Sequence, residues 1–393
     1  MRRIEGGICA VEGVRACGVR HNRYGLALIA ASGPAAGVFT KNKINAAPNI
    51  YTAGNLRGGW LDGVIANSGC ANAYTGERGV LDSGRMAEIF ASFLKTDPKR
   101  IGVASTGVIG VPLDLETIAR LFEEVKSNLR RSADASREAA SAIMTTDTAL
   151  KEIAVEHKGV KVAGIAKGAG MIEPNMGTML VFLYTDAILS GDAEASGEML
   201  REHLMDAVAD SFNMLIVDGD TSTNDVVLLT STQRKECDPA DFREALLYVC
   251  TELARMVARD GEGATKYLET IVTGAKTRED ARNAARAVLR SNLVKTAIFG
   301  EDPNWGRIVA AVGRSGAQVA PEKIALKLQS NGSEVTLVER GRIVEGVRKL
   351  AREVMRAKEI LIAVDLGLGE ESARGFGCDM GYGYIEINAS YTS

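Results

Sequence analysis

A glycine followed by a hydroxyl residue at the mouth of an apolar strand can do backbone chemistry. The 393-residue sequence contains such a pair within Lys167-Gly168-Ala169-Gly170-Met171-Ile172-Glu173-Pro174-Asn175-Met176-Gly177-Thr178-Met179-Leu180. Gly177 has no side chain to shield its carbonyl and reaches dihedrals closed to other residues, so in a strained loop the Thr178 hydroxyl can reach that carbonyl. Attack would give an ester, and hydrolysis would leave Thr178 as a new N-terminus carrying both a hydroxyl and its own α-amine. An α-amine has an ordinary pKa of about 7.7–8, so a useful fraction is neutral near pH 7 and can take the hydroxyl proton. On spacing alone, a Gly-rich turn feeding a buried strand is the more ordinary account of the same residues.

Other chemistries have less material. Of the three histidines His21, His157 and His203, none lies near a serine-containing elbow, so a Ser-His-Asp mechanism lacks its base. The six cysteines, Cys9, Cys17, Cys70, Cys237, Cys250 and Cys378, are far apart and form no CxxC pair. They read as buried small side chains, with neither a disulfide framework nor a zinc site expected. Asp218, Asp220 and Asp225 are close together, but the sixth-position glycine and terminal glutamate of a calcium loop are missing, so a turn between two strands is expected and no metal. There is no Walker A or GxGxxG run for a nucleotide. Thr106-Gly107 supplies a hydroxyl and an unhindered N–H, the two donor types that suit a developing oxyanion, although such a pair is usually an ordinary turn. Lys167 would ordinarily be a solvated charge, and Glu262, set between two glycines, an exposed turn acid.

These groups must be positioned by surrounding elements. Apolar residues recur at helical spacing in Met86, Ile89, Phe90 and Phe93 after a capping Asp82, and in Ile118, Leu121, Phe122 and Val125 after Asp114. Further helices are predicted over Ala133 to Met144, Ala193 to Ser211, and from Lys276-Thr277 through Arg290. Strands are predicted at Gly159 to Ala166, Met179 to Tyr184, Val226 to Thr230, Val335 to Val338 and Ile360 to Leu366. Glycine-dense turns are expected at Asn67-Ser68-Gly69-Cys70, Lys167 to Gly170 and Gly375 to Gly383. The alternation of strands and helices predicts an α/β fold of layered sheets covered by helices. At the C-terminus, Tyr382, Tyr384, Ile385, Ile387 and Tyr391 alternate like a docked strand.

The sequence is 46% hydrophobic and 25% charged, with 42 glycines and a net charge of −3. Lys and Arg are scattered, which removes the electrostatic footprint of a nucleic-acid binder and favours small-molecule chemistry. No apolar run approaches the roughly 18 residues that span a bilayer, and the start lacks the apolar stretch of a signal peptide, so a cytosolic location is expected.

The run KGAGMIEPNMGTML resembles the cleavage segment of the glutamate N-acetyltransferase (ornithine acetyltransferase) family. Matches in the same order cover nearly the whole chain: Ala66 to Ala73, Ser105-Thr106-Gly107-Val108-Ile109-Gly110, Met144 to Thr148, Val217 to Asp225, Asp260-Gly261-Glu262-Gly263-Ala264-Thr265-Lys266, Asp302 to Arg307, and Asn388 to Ser393. The resemblance implies cleavage between Gly177 and Thr178, giving an α chain of residues 1–177 and a β chain of residues 178–393, interwoven in one fold and assembled as a heterotetramer. It implies Thr178 as nucleophile, Thr106 and Gly107 as the oxyanion hole, and Thr145, Lys167, Thr178, Glu262, Asn388 and Ser393 as substrate contacts. Thr146, adjacent to Thr145, is an alternative for that position. The implied reaction carries the acetyl group of N2-acetyl-L-ornithine through Thr178 to L-glutamate, for arginine biosynthesis. No cofactor is implied, and acetyl-CoA stays open as a second acetyl donor. The position before the nucleophile is commonly Ala in the family and is Gly177 here; the last residue is Ser393 where Thr is frequent. Two rivals are a self-cleaving hydrolase, in which water resolves the acyl-enzyme, and an uncleaved protein that binds acetylated amino acids without turning them over.

Overall fold

The computed structural model describes residues 1–173 and 179–390; Gly177, Thr178 and Ser393 lie outside the described residues. Among the described residues the strands form two sheets. The larger, of nine strands, runs Arg2–Arg3, Lys151–His157, Val160–Lys167, Leu180–Ile188, Val226–Glu236, Tyr24–Phe39, Trp60–Cys70, Ile101–Val108, with Arg15–His21 paired to Tyr24–Phe39. The smaller, of seven, runs Arg342–Ile343, Ser333–Glu339, Ala325–Ser330, Glu359–Asp365, Tyr267–Ala275, Glu371–Cys378, Leu215–Ile216.

Three apolar layers hold these sheets. The strand faces bearing Val155, Val181, Leu183, Val227 and Leu229 share one continuous core with the helices Ala193–Asp210 and Pro239–Arg259 and with the smaller sheet. On the opposite face of the large sheet, Ile165, Leu180, Phe182, Tyr184 and Leu228 pack with Ala135, Ala139 and Ala142 of the helix Ala133–Ala142. Past it, Leu26, Leu28, Ile65 and Val103 pack beneath Met86 and Phe90 of the helix Gly76–Leu94 and Ile118, Leu121 and Phe122 of the helix Leu115–Val125. Burying one face of each helix on sheet surface in this way is the usual solution for an α/β chain. The layered α/β expectation therefore stands.

The expected helices and strands are present, with local differences. The Leu115–Val125 helix starts at Asp114, whose carboxylate accepts from Thr117 N, and Thr277 caps Arg278–Leu289 in the same way. Asp82 is not a cap: its helix begins at Gly76, and Asp82 is buried mid-helix between Arg78 and Arg85. Asn67 to Cys70 is strand rather than turn, the last residues of Trp60–Cys70, with the ladder irregular at Cys70. Gly375 and Gly377 likewise lie inside the strand Glu371–Cys378. There an added Cβ would fall 2.6 Å from a Leu289 methyl and from Ile216 O respectively, so these glycines serve close packing between helix and sheet.

The C-terminal segment corrects the sequence reading outright. Tyr382–Ser390 is a helix, with Tyr382 and Ile385 largely exposed, not a docked strand. The same residues that alternate also place Tyr384 and Asn388 four apart, on one helical face. Gly381 and Gly383 let the helix start close against the Phe299 ring and the Gly263 backbone, and Tyr382 meets Phe299 edge-on at 5.7 Å between centroids.

Candidate active site

Three neighbouring strands of the large sheet deliver the site. Lys167 is the last residue of Val160–Lys167 and stands opposite Leu180, and Leu180 in turn stands opposite Val226. The described flanks of the Gly-rich segment, Lys167 and Leu180, therefore meet as paired residues at the ends of interior strands. Both flanks are held firmly. Asp218 accepts from Met171 N at 2.6 Å and Ile172 N at 2.8 Å. Glu173, almost fully buried, pairs with Arg290 at 2.9 Å and Arg286 at 3.3 Å. On the far side, Met179 O accepts from Val226 N at 3.0 Å.

Around these strand ends lies a cavity of about 130 Å³ lined by Thr106, Gly107, Thr145, Thr146, Lys167, Glu262 and Asn388, together with Ala71, Ile109, Gly170, Met171, Ser222 and Asn224. Residues separated by up to 317 positions in sequence, from Ala71 to Asn388, thus meet in one place. Both Thr145 and Thr146 reach it, so the adjacent threonines are not distinguished by position.

Gly107 is the second-last residue of the strand Ile101–Val108, with φ of +133°, and a Cβ there would fall 2.3 Å from the Gly69 carbonyl carbon. Only glycine fits, and its neighbour Thr106 is placed by the same irregular ladder at Gly69 and Cys70. Asn224 braces this corner, donating to Ala71 O at 2.6 Å and Ser105 O at 2.8 Å. Lys167 Nζ donates to Thr106 Oγ1 at 3.2 Å. A hydroxyl that accepts from an ammonium keeps its own proton for donation, and the cation polarises it.

Lys167 is fully buried, and burial pushes its ammonium pKa down, against the opposing pull of Asp147. Asp147 accepts from Gly168 N at 2.6 Å, Thr145 N at 3.1 Å and Lys151 Nζ at 2.7 Å. Burial would raise this carboxyl, but Lys167, Lys151 and the Gly168 N–H override it and hold it at about 2. Lys151, 1% exposed, also pairs with Asp260 at 2.5 Å, and Asp260 accepts from Thr148 N. The buried Asp147–Lys151–Asp260 cluster therefore ties together the loops carrying Thr145, Lys167 and Glu262.

Glu262 lies against the Gly170 backbone, where an added Cβ would come within 2.3 Å of its carboxylate, and its N–H donates to Ala169 O at 2.9 Å. Asn388 Nδ2 donates to Glu262 Oε2 at 2.9 Å and to Tyr384 O at 3.0 Å. The helical turn at the C-terminus thus delivers Asn388 to Glu262. Sequence reasoning did not single out Ala71, Ile109, Gly170, Met171, Ser222 or Asn224. Asn224 and Ser222 belong to the acidic run taken as a turn, and that run does connect the strands Leu215–Ile216 and Val226–Glu236, with Asp218 turned to backbone N–H groups. All six cysteines are free thiols, five of them buried. Among the described residues no helix is long and apolar enough to cross a membrane.

Comparison with known proteins gives a consistent picture. A model of the ArgJ family matches residues 11–393. A glutamate N-acetyltransferase of Methanosarcina acetivorans is 52% identical over 402 residues, covering 100% of both chains. An arginine biosynthesis bifunctional protein ArgJ of Archaeoglobus fulgidus is 47% identical over 387 residues, covering 98% of this chain and 100% of its own. The crystal structure of the arginine biosynthesis bifunctional protein argJ from Bacillus halodurans is 36% identical, covers 53% of this chain and 98% of that one, and superposes with a TM-score of 0.49.

Proposed function

The chain belongs to the ArgJ family, and from that premise we propose that it is a glutamate N-acetyltransferase that moves the acetyl group of N2-acetyl-L-ornithine to L-glutamate through an acetyl ester on Thr178. Cleavage before Thr178 yields the α and β chains, frees the α-amine and makes Thr178 the first residue of the second. The amine takes the hydroxyl proton as Oγ attacks the acetyl carbonyl, and the Thr106 hydroxyl and Gly107 N–H donate to the oxyanion. Collapse of the tetrahedral adduct expels ornithine, whose nitrogen takes the proton back. Glutamate then attacks the ester by the reverse sequence, giving N-acetylglutamate for arginine biosynthesis. The working assembly is a heterotetramer of two α and two β chains in the cytosol, with Thr145, Lys167, Thr178, Glu262, Asn388 and Ser393 contacting substrate.

The observation that carries this reading is the meeting of Thr106, Gly107, Lys167 and Glu262 in one cavity at the end of the strand pair Lys167–Leu180, beside Met179. A cation beside the oxyanion donors suits the α-carboxylate of an amino acid. A carboxylate oriented by Asn388 suits the side-chain ammonium of ornithine.

The test is acetyl transfer by purified protein, with N2-acetyl-L-ornithine or acetyl-CoA as donor and glutamate as acceptor. Formation of N-acetylglutamate from acetylornithine, by protein that separates into fragments ending at Gly177 and beginning at Thr178, is expected. Acetate release with no N-acetylglutamate would instead indicate a hydrolase, and an intact chain that binds acetylornithine without turnover would indicate a binding protein. The acetyl-CoA arm separates a recycling enzyme from one with both activities.

A further inference from the structure

Two carboxyl groups flank Lys167, and their surroundings are opposite. Asp147 is enclosed by donors: Gly168 N–H, Thr145 N–H and the Lys151 ammonium. Asp225, 2% exposed, has neither carboxylate oxygen hydrogen-bonded among the described residues. The Thr40 and Asn49 donors beside it are directed elsewhere. Thr40 Oγ1 donates to Ser222 O at 2.7 Å, and Asn49 Nδ2 and Thr40 N donate to the Asp225 main-chain carbonyl at 3.2 and 3.0 Å. Asp225 precedes Val226, the residue opposite Leu180, and Leu180 is in turn opposite Lys167, so Asp225 and Lys167 stand at the same end of neighbouring interior strands, with one strand between them. It does not line the cavity.

A buried carboxylate with no hydrogen-bond donor is strongly disfavoured, whereas the protonated acid loses far less on leaving water. An unsatisfied buried polar group calls for an explanation. We propose that Asp225 works as an un-ionised carboxylic acid behind the cavity, a positioning residue whose lack of charge leaves the Lys167 ammonium free to hold the carboxylate of an amino-acid substrate. The inference rests on Lys167 being that cation in the proposed function.

Its electrostatics agree with the geometry. Burial pushes the Asp225 carboxyl well above the usual carboxylate range, against weaker pulls from the nearby Met179 N–H, the Lys167 charge and the Thr40 hydroxyl, whose proton is directed to Ser222 O. The charged groups acting on Lys167 are Asp147, Lys151, Asp225 and Glu262. Lys151 is itself shared between Asp147 and Asp260. An ionised Asp225 would put a third carboxylate, after Asp147 and Glu262, around one lysine and compete with an anionic substrate. Environments that drive two carboxyls to opposite protonation states are a recurring device of enzyme sites.

The sign for pH follows. Asp225 is neutral below its raised pKa and ionises as pH climbs through it, so substrate binding weakens at alkaline pH. With processed wild-type enzyme, KM for glutamate should rise at least tenfold from neutral to alkaline pH with a smaller change in kcat. In Asp225→Asn, whose amide stands in for the protonated acid, that rise should be markedly smaller, because loss of the Lys167 charge and titration of the glutamate amine are common to both proteins. A tenfold or greater increase of KM in Asp225→Asn at neutral pH would overturn the proposal. A second measurement does not depend on turnover. The infrared difference between wild type and Asp225→Asn at neutral pH should contain the C=O stretch of a protonated carboxylic acid, and a carboxylate signature in its place would overturn the proposal even if the variant is not cleaved. Wild-type protein with no acetyl transfer would defeat the proposed function instead, and the infrared result would still report the state of Asp225.

Discussion

Replacing Lys151 by methionine removes the cation that bridges Asp147 and Asp260 and leaves a side chain of similar length. All three groups are nearly inaccessible, with side-chain exposures of 1% for Lys151, 0% for Asp147 and 6% for Asp260. Removing one partner of a buried ion pair costs about 3–5 kcal/mol, because the remaining charge stays buried without compensation. Here Asp147 keeps the Gly168 and Thr145 N–H groups and the field of Lys167, and Asp260 keeps donors from Thr148 and Ala149. The loss should therefore fall at the lower end, about 3 kcal/mol. Chemical denaturation of the uncut Thr178→Ala chain, with and without Lys151→Met, reads it without interference from cleavage. Adding Asp260→Asn should recover part of the loss, since it removes one stranded charge, and the cycle should be non-additive. A cost below about 1 kcal/mol, or strict additivity, would mean that these charges are not coupled as the distances indicate.

Thr106→Ala should lower kcat by about 10²–10³ with a smaller change in KM, as expected for a donor that acts mainly on the oxyanion; unchanged kcat in processed enzyme would remove Thr106 from the reaction. Thr106→Ser, which keeps the hydroxyl, should retain most of the rate. Gly107→Ala should destabilise the fold by about 2 kcal/mol or more, because φ of +133° and a backbone carbon 2.3 Å away both oppose a methyl group. A denaturation midpoint equal to that of wild type would show that this corner yields without cost.

Much of the site was legible through the family resemblance carried by short runs; the residue types alone made Thr106-Gly107 an ordinary turn, Lys167 a solvated charge and Glu262 an exposed turn acid. Thr106-Gly107, Lys167 with its glycines and Glu262 between two glycines all line the cavity. What the sequence did not disclose is the support beneath them. Lys151 and Asp260 are unremarkable charges until the fold places them together with Asp147, across 109 positions from Lys151 to Asp260. Asn224 looked like one polar residue in a turn, and its bracing of the Thr106 strand depends on carbonyls from two distant segments. The C-terminal error has a local cause: a nine-residue segment with aromatic and β-branched residues carries both periodicities, and contact with Gly263 and Phe299 accompanies the helix. The misread glycines at 375 and 377 show the converse, a strand whose lack of side chains is required by a helix packed against it.

The central claim is that Thr178 carries the acetyl group between donor and acceptor. Intact-mass and fragment analysis after rapid quenching, with N2-acetyl-L-ornithine present and glutamate absent, tests it most directly, because the second half-reaction then lacks its acceptor. An acetyl group on the N-terminal residue of the fragment that begins at Thr178, discharged on addition of glutamate, is the predicted result. An unmodified fragment in enzyme that still transfers acetyl groups at full rate would contradict it.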